Sequence, residues 1–231
     1  MTAAPRPFAR AAIGLAWLMA IAALLALGTW QVQRRAWKLD LIERVEARIH
    51  AAPVAAPRTA TDDDAYRRVI ARGTYLRERE TFVQASTVRG PGWWVMTPMR
   101  SPDGTIIMIN RGFMPARAAP PPPAGTASVT GLLRVSEPGG GFLRDNDPAR
   151  DRWYSRDVAA IAAKRGLGRA APYFIDADAS ANAAGQPVGG LTVIKFANSH
   201  LVYALTWYTL AIMAAAGFLY WLRVDRAEHA A

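Results

Sequence analysis

The chain contains no cysteine. That absence alone excludes disulfides, thiolate zinc sites, iron–sulfur clusters and a thiol nucleophile, and it fits an oxidising compartment. Histidine is nearly missing as well, with only His50, His200 and His229 in 231 residues. A serine triad would have to recruit one of the three, and no G-x-S-x-G elbow accompanies them. There is no H-E-x-x-H and no Walker loop. Gly166, Gly168 and Ala171 spell G-x-G-x-x-A, but a helical pattern precedes them and Pro172 follows. A dinucleotide fingerprint needs a strand before and a helix after. Long blocks of one charge are also absent. Arginines are scattered among acids with no zinc-finger or helix-turn-helix spacing, which argues against a nucleic-acid partner. The expectation is a protein without catalytic residues, not an enzyme.

Long apolar runs are what the chain does have. Residues 201–222 and residues 11–30 are each free of charge. A hydrocarbon core of about 30 Å needs about 20 apolar residues in a helix, so both segments read as membrane spans. Mean hydropathy over the whole chain is only +0.03, too low for a multi-span bundle and suited to a soluble domain tethered at both ends. The net charge is +10, and most of it lies between the spans. A basic domain beside a bilayer is attracted to anionic headgroups, acidic partner surfaces or propionates.

In order, the sequence predicts a tail (1–10), a first span (11–30) kept as a signal anchor, and a helical extension (31–50). Along that extension Trp37, Leu41, Val45 and Ile49 recur every four residues. Residues 51–65 carry prolines and read as a linker. Asp62, Asp63 and Asp64 in it read as a solvated turn. A β-rich domain (66–197) follows. Its strands are expected at 69–75 and 81–85 as a hairpin, at 93–99 and 105–110 across the turn RSPDG, and at 128–135 and 172–176. TIIMIN, within 105–110, is apolar on both parities and should be buried on both faces. Pro120–Pro123 reads as a polyproline linker. Asp157 caps a short helix over 158–164 that Gly166 ends. The second span (198–222) and a tail (223–231) complete the chain. The predicted fold is thus a membrane protein with two transmembrane helices forming an N- and C-terminal hairpin that flanks a mostly antiparallel β (α+β) extracytoplasmic domain.

His200 opens the second span, with Tyr203, Ala204 and Trp207 at i+3, i+4 and i+7 on one face. Two readings stand side by side. Aromatic residues collect at headgroup level in any membrane protein, and imidazole is also a common ligand of haem iron. His50 suits the negative end of its helix, and His229 lies in the tail.

Several motifs together resemble one family. They are Gly28, Trp30 and Gln31 in LGTWQ with Arg34, Lys38 and Ile42; Gly73-Thr74-Tyr75; Thr97-Pro98; Asn110-Arg111-Gly112-Phe113 with Pro115; Gly131, Arg134, Glu137 and Asn146; Trp153 with Arg156-Asp157; Pro172-Tyr173-Phe174; Gly189-Gly190 and Thr192; and Asn198, His200, Leu201, Tyr203, Ala204 and Trp207. In order and content they resemble the Surfeit locus protein 1 family, assembly factors of cytochrome c oxidase. Phe113 stands where many members have Trp. The resemblance implies two membrane helices flanking a domain outside the cytoplasm, or facing the intermembrane space in mitochondria. The short N-terminal tail and lack of a transit segment favour a bacterial inner membrane, with both termini cytoplasmic and the large loop periplasmic. The resemblance also implies service to oxidase subunit I, with haem a synthase as a further partner and haem a transiently bound through His200 as metal ligand. Trp30, Tyr203 and Trp207 would then wall the ring, and Arg34, Arg35 or Arg111 would pair with its propionates. A scaffold that holds subunit I without touching haem is the alternative, with Trp93-Trp94 as contact surface.

Overall fold

The computed structural model describes residues 7–141, 143–182, 185–192 and 196–230. Arg6 and Lys195 lie outside the described residues, as do the side chains of Glu228 and His229. The chain divides into two compact units, one made of the residues up to Arg44 and those from residue 195 onward, the other of Val45–Ile194.

Two helices form the first unit. α1 runs unbroken over Pro7–His50, so the first span and its extension are one element whose last residues belong to the other unit. The last helix, α3, covers His200–Ala230. No proline interrupts either helix after its first residue, so each hydrogen-bond ladder continues. Within this unit the helices pack antiparallel, because contacts run in opposite order along them. Gln31 meets His200, Gly28 meets Tyr208, Trp17 meets Gly217 and Phe218, and Arg10 pairs with Asp225. Only 6% and 11% of their most apolar stretches is buried within the protein. Their side chains therefore face outward, unlike those of a soluble core helix.

The second unit is a small β-barrel with one short helix against it. Its strands are β1 (Val54–Ala55), β2 (Arg68–Tyr75), β3 (Thr81–Thr87), β4 (Gly90–Arg100), β5 (Ile106–Met114), β6 (Thr126–Val135), a tiny hairpin β7–β8 (Gly140–Gly141, Arg144–Asp145), and β9 (Ala170–Ala177). The sheet order is β1-β2-β6-β9-β5-β4-β3, and β2 also pairs with β4 through Thr74 and Tyr75. That extra pairing closes β2, β6, β9, β5 and β4 into a ring. Gly73 sits at the closure, where an added Cβ would lie 2.3 Å from the Arg100 carbonyl oxygen, so only glycine lets the two strands come this near.

The expected strands are present, each longer by one to four residues, but one pairing differs. Strands 69–75 and 81–85 do not form a hairpin. A one-turn helix over Arg77–Arg79 separates them, and β2 pairs with β1, β6 and β4 while β3 pairs with β4 and bridges to Trp153. A barrel buries one face of β2 against four other strands, which a two-stranded ribbon could not do. The sheet is mostly antiparallel, with β5–β9 and β1–β2 parallel. The segment predicted as linker carries β1 and the turn at Asp62–Asp64. In that turn Asp64 accepts from the Thr61 N–H at 3.1 Å and from Arg67 at 3.3 Å.

Strand periodicity sorts the core into two layers. Val69, Ala71, Met99, Ile107, Ile109, Leu133, Tyr173 and Ile175, from all five barrel strands, fill the interior. On the opposite parity Met108 and Phe174 join Met96, Val83 and Trp153 under the helix α2 (Val158–Arg165). β5 is buried at every position, as its apolar run requires. Each fully buried large side chain contributes roughly 1.5–3 kcal/mol. Asp157 caps α2 by accepting from the Ala160 N–H at 3.0 Å, and Gly166 ends it in the left-handed conformation at φ 62°.

Candidate functional site

His200 is the first residue of α3, and its imidazole is half-buried. Its Nδ1 lies 2.8 Å from Oε1 of Gln31 on α1. Below it Ala204 and Ala211 are each 2% exposed and form the seam between the helices. One turn along, Gly28 faces the ring of Tyr208, where a Cβ would sit at 2.7 Å. The Tyr208 hydroxyl is 3.2 Å from Oγ1 of Thr29. Small residues thus bring the backbones together, and the polar pair His200–Gln31 closes that end of the seam.

Around this point the expected aromatic residues are exposed. Trp30 and Tyr203 are each 53% exposed, and Trp207 is half-buried beside the seam. Arg34 and Arg35 follow Trp30 and Gln31 by one helical turn. Arg34 stacks its guanidinium 4.1 Å from the centre of the Trp37 ring. Stacking occupies the face of the fork and leaves its in-plane N–H groups available. One imidazole, three large aromatic rings and two arginines therefore belong to one end of the helix pair.

Arg111 belongs to the β unit. It sits on β5 in the other unit, 2% exposed, with Nη1 on Glu80 Oε1 at 2.7 Å and Nη2 on the Pro120 carbonyl at 3.0 Å. Glu80 is fixed in turn by Thr97 at 2.8 Å. A buried guanidinium must be paired, and Arg111 has its partners inside the barrel unit. Its guanidinium is held there by an ion pair with Glu80. Trp93 and Trp94 are half-buried, Trp94 packing edge-on against Phe113.

Sequence reasoning missed a dense polar cluster in the β unit. Asp176 on β9 accepts from Asn110 at 2.7 Å, Arg134 at 3.1 Å, Arg156 at 3.1 Å and Thr192 at 3.0 Å. Arg156 also grips Glu137 through Nε at 3.0 Å and Nη2 at 2.6 Å. Its guanidinium lies over Phe174 at 4.6 Å. Two arginines and two carboxylates balance in charge beside a cavity of about 240 Å³ that Trp94 and Thr192 also line. Burial pushes the Glu137 carboxyl up, but Arg156 and Arg134 outweigh burial and hold it below its ordinary value of 4.5. Asp151 sits low through the Trp153 N–H and Arg165, which likewise outweigh burial. Both contribute stability that is present above the unfolded pKa and lost as pH falls through the lower folded value. The thermal midpoint of the β unit is therefore expected to hold from neutrality down to about pH 5 and to drop below about pH 4.5. A midpoint that rises on acidification in that window would contradict the assignment.

Among the described residues no group of three or more His, Asp or Glu side chains converges as a metal cage. A single imidazole suits a metal that already carries most of its own ligands, and His200 is the one described imidazole placed beside arginines and exposed aromatic rings.

The geometry sits in a segment that matches known proteins closely. The model of the SURF1 family matches residues 18–212, from within α1 to within α3. Mouse Surfeit locus protein 1 is 35% identical over 92% of this chain and 76% of its own length. The human protein of that name is 34% identical over 92% and 78%. A SURF1-like protein of Monosiga brevicollis is 34% identical over 90% and 87%. Matches this long, spanning both helices and the barrel, place the chain in the SURF1 family.

Proposed function

We propose that this chain is an assembly factor for cytochrome c oxidase that holds haem a as cargo on its way to subunit I. The family resemblance carries the assembly role. The observation that carries the haem reading is His200, a half-buried imidazole heading an outward-apolar helix, with Trp30, Tyr203, Arg34 and Arg35 within one turn of the His200–Gln31 contact. In this reading the two apolar helices span the bacterial inner membrane, both tails are cytoplasmic and the barrel is periplasmic. Haem a synthase is the source of the cargo, and anionic lipid supports the basic domain.

The residues present fit such a cargo. His200 offers one nitrogen to iron, as an axial ligand does. Trp30, Tyr203 and Trp207 supply aromatic walls. Arg34 and Arg35 supply forks for the two propionates. The outward apolar side chains of α1 and α3 accept a hydrocarbon tail. One protein ligand in place of two favours release, which a carrier requires. In this reading the role is binding and transfer.

The test is an absorption spectrum with extracted-haem analysis on protein purified in mild detergent from cells that make haem a. The wild type is expected to carry haem a. His200→Ala is expected to lower bound haem by at least about tenfold. Equal haem in both would remove His200 as ligand. No haem in the wild type, with haem a present in the same membranes, would leave the scaffold that holds subunit I without haem as the surviving reading.

A further inference from the structure

We infer that Gln31 is the positioning residue for His200, selecting the imidazole tautomer whose Nε2 carries a lone pair and no proton. The inference on the tautomer stands on the helix geometry alone, and its extension to iron rests on the haem reading above.

A neutral imidazole has one protonated and one bare nitrogen, and the bond made by one nitrogen decides the state of the other. In solution the proton of a histidine side chain favours Nε2. That form is useless as an Nε2 ligand, because the lone pair is occupied. Here Nδ1 lies 2.8 Å from Oε1 of Gln31. A carbonyl oxygen only accepts, so Nδ1 must be the donor and hold the proton. Nε2 is then bare. The same bond fixes the ring plane about its Cβ–Cγ axis, so the lone pair points in one direction. Partners of this kind beyond a metal's own ligands set both tautomer and basicity of a ligating histidine.

The two helices are close near Gln31. Gly28 lies one turn earlier on α1 and lets Tyr208 approach, while Ala204 and Ala211 keep α3 close. A glutamine side chain spans this narrow gap, whereas a wider seam would put water between the two groups. Glutamine also contributes no charge at a helix end made for an apolar, dianionic guest. Aspartate or glutamate there would draw the imidazole toward imidazolate and repel propionates.

The test begins without haem. The three histidines are labelled with ¹⁵N in full-length protein in detergent, and the His200 signals are identified by their loss in His200→Ala. Above the imidazolium range, the wild type is expected to show protonated Nδ1 and bare Nε2 at His200. Gln31→Leu, which keeps bulk and removes the acceptor, is expected to move the proton to Nε2. Gln31→Glu is expected to restore protonated Nδ1. A wild type with protonated Nε2 would mean that the Gln31 amide donates, and would overturn the inference. So would a tautomer unchanged in Gln31→Leu. Helix content by circular dichroism separates a local change from misfolding, and restoration in Gln31→Glu gives a second check.

The loaded protein gives a second readout. Gln31→Leu is expected to bind haem a about 10–100-fold more weakly with a raised reduction potential, and Gln31→Glu to lower the potential below wild type. If no variant takes up haem while the tautomer follows Gln31, the haem reading fails and the positioning role stands. If haem binds and its potential ignores Gln31, the extension to iron fails alone.

Discussion

Asp176→Ala is expected to cost roughly 3–5 kcal/mol of stability in the barrel unit, because it strands two arginines that the fold has already taken out of water. Asp176 is 5% exposed and is the acceptor shared by Arg134, Arg156, Asn110 and Thr192. Burial pulls the Arg156 pKa down, yet Asp176 and Glu137 more than restore it. Without Asp176, Glu137 alone faces both guanidinium groups from the edge of the cluster. Asp176→Asn keeps the acceptor oxygen and the shape and should lose less, since a neutral acceptor still satisfies part of the fork. Fluorescence of the buried Trp153 during thermal or denaturant unfolding in detergent gives the comparison. A loss below about 1 kcal/mol for the alanine variant would mean that the arginines swing out to solvent.

Under the haem reading proposed above, Gly28→Leu is expected to abolish haem retention while leaving the barrel folded. Even a methyl group at position 28 would stand 2.7 Å from the Tyr208 ring, and a branched side chain forces the helices apart. The His200–Gln31 bond spans that same seam, so a separation of even 1 Å breaks it. The variant should therefore resemble Gln31→Leu in its histidine ¹⁵N spectrum and His200→Ala in its haem content. Tyr208→Ala in the same chain makes room and should recover both signals at least in part. Failure of the double variant to recover either would show that Gly28 acts through something other than this contact.

How much of this was legible depends on how far apart the interacting residues are in sequence. α2 was readable because its cap, its length and its stop at Gly166 are local. β5 was readable because Ile106–Asn110 lacks any solvent-facing parity. The pairing of β2 was not, since the charged segment at 76–80 resembles a hairpin turn while the true partners come from Thr126–Val135 and Arg100. The Asp176 cluster unites positions 110, 134, 137, 156, 176 and 192, and no periodicity links them. The Arg111–Glu80 ion pair is hidden for the same reason, because Glu80 lies two strands upstream. At the helix pair His200 stood out by rarity. Gln31 went unnoticed as its partner although Gly28, one turn before it, marks the face where another helix comes close.

The strand order also governs when the protein can become itself. β9 lies between β5 and β6 in the sheet, yet it is synthesised after both, beyond the glycine-rich segment and α2. Until Ala177 has left the ribosome, β5 and β6 each present an unpaired edge, and Met108, Leu133 and Trp153 lack the strand that covers them. At about 5–20 residues per second this interval lasts a few seconds, long enough for open edges to find one another on neighbouring chains. The barrel therefore closes only as the last helix is being made. A product that stops short of β9 is an open sheet attached to a single apolar helix, a target for proteolysis rather than a partly working protein.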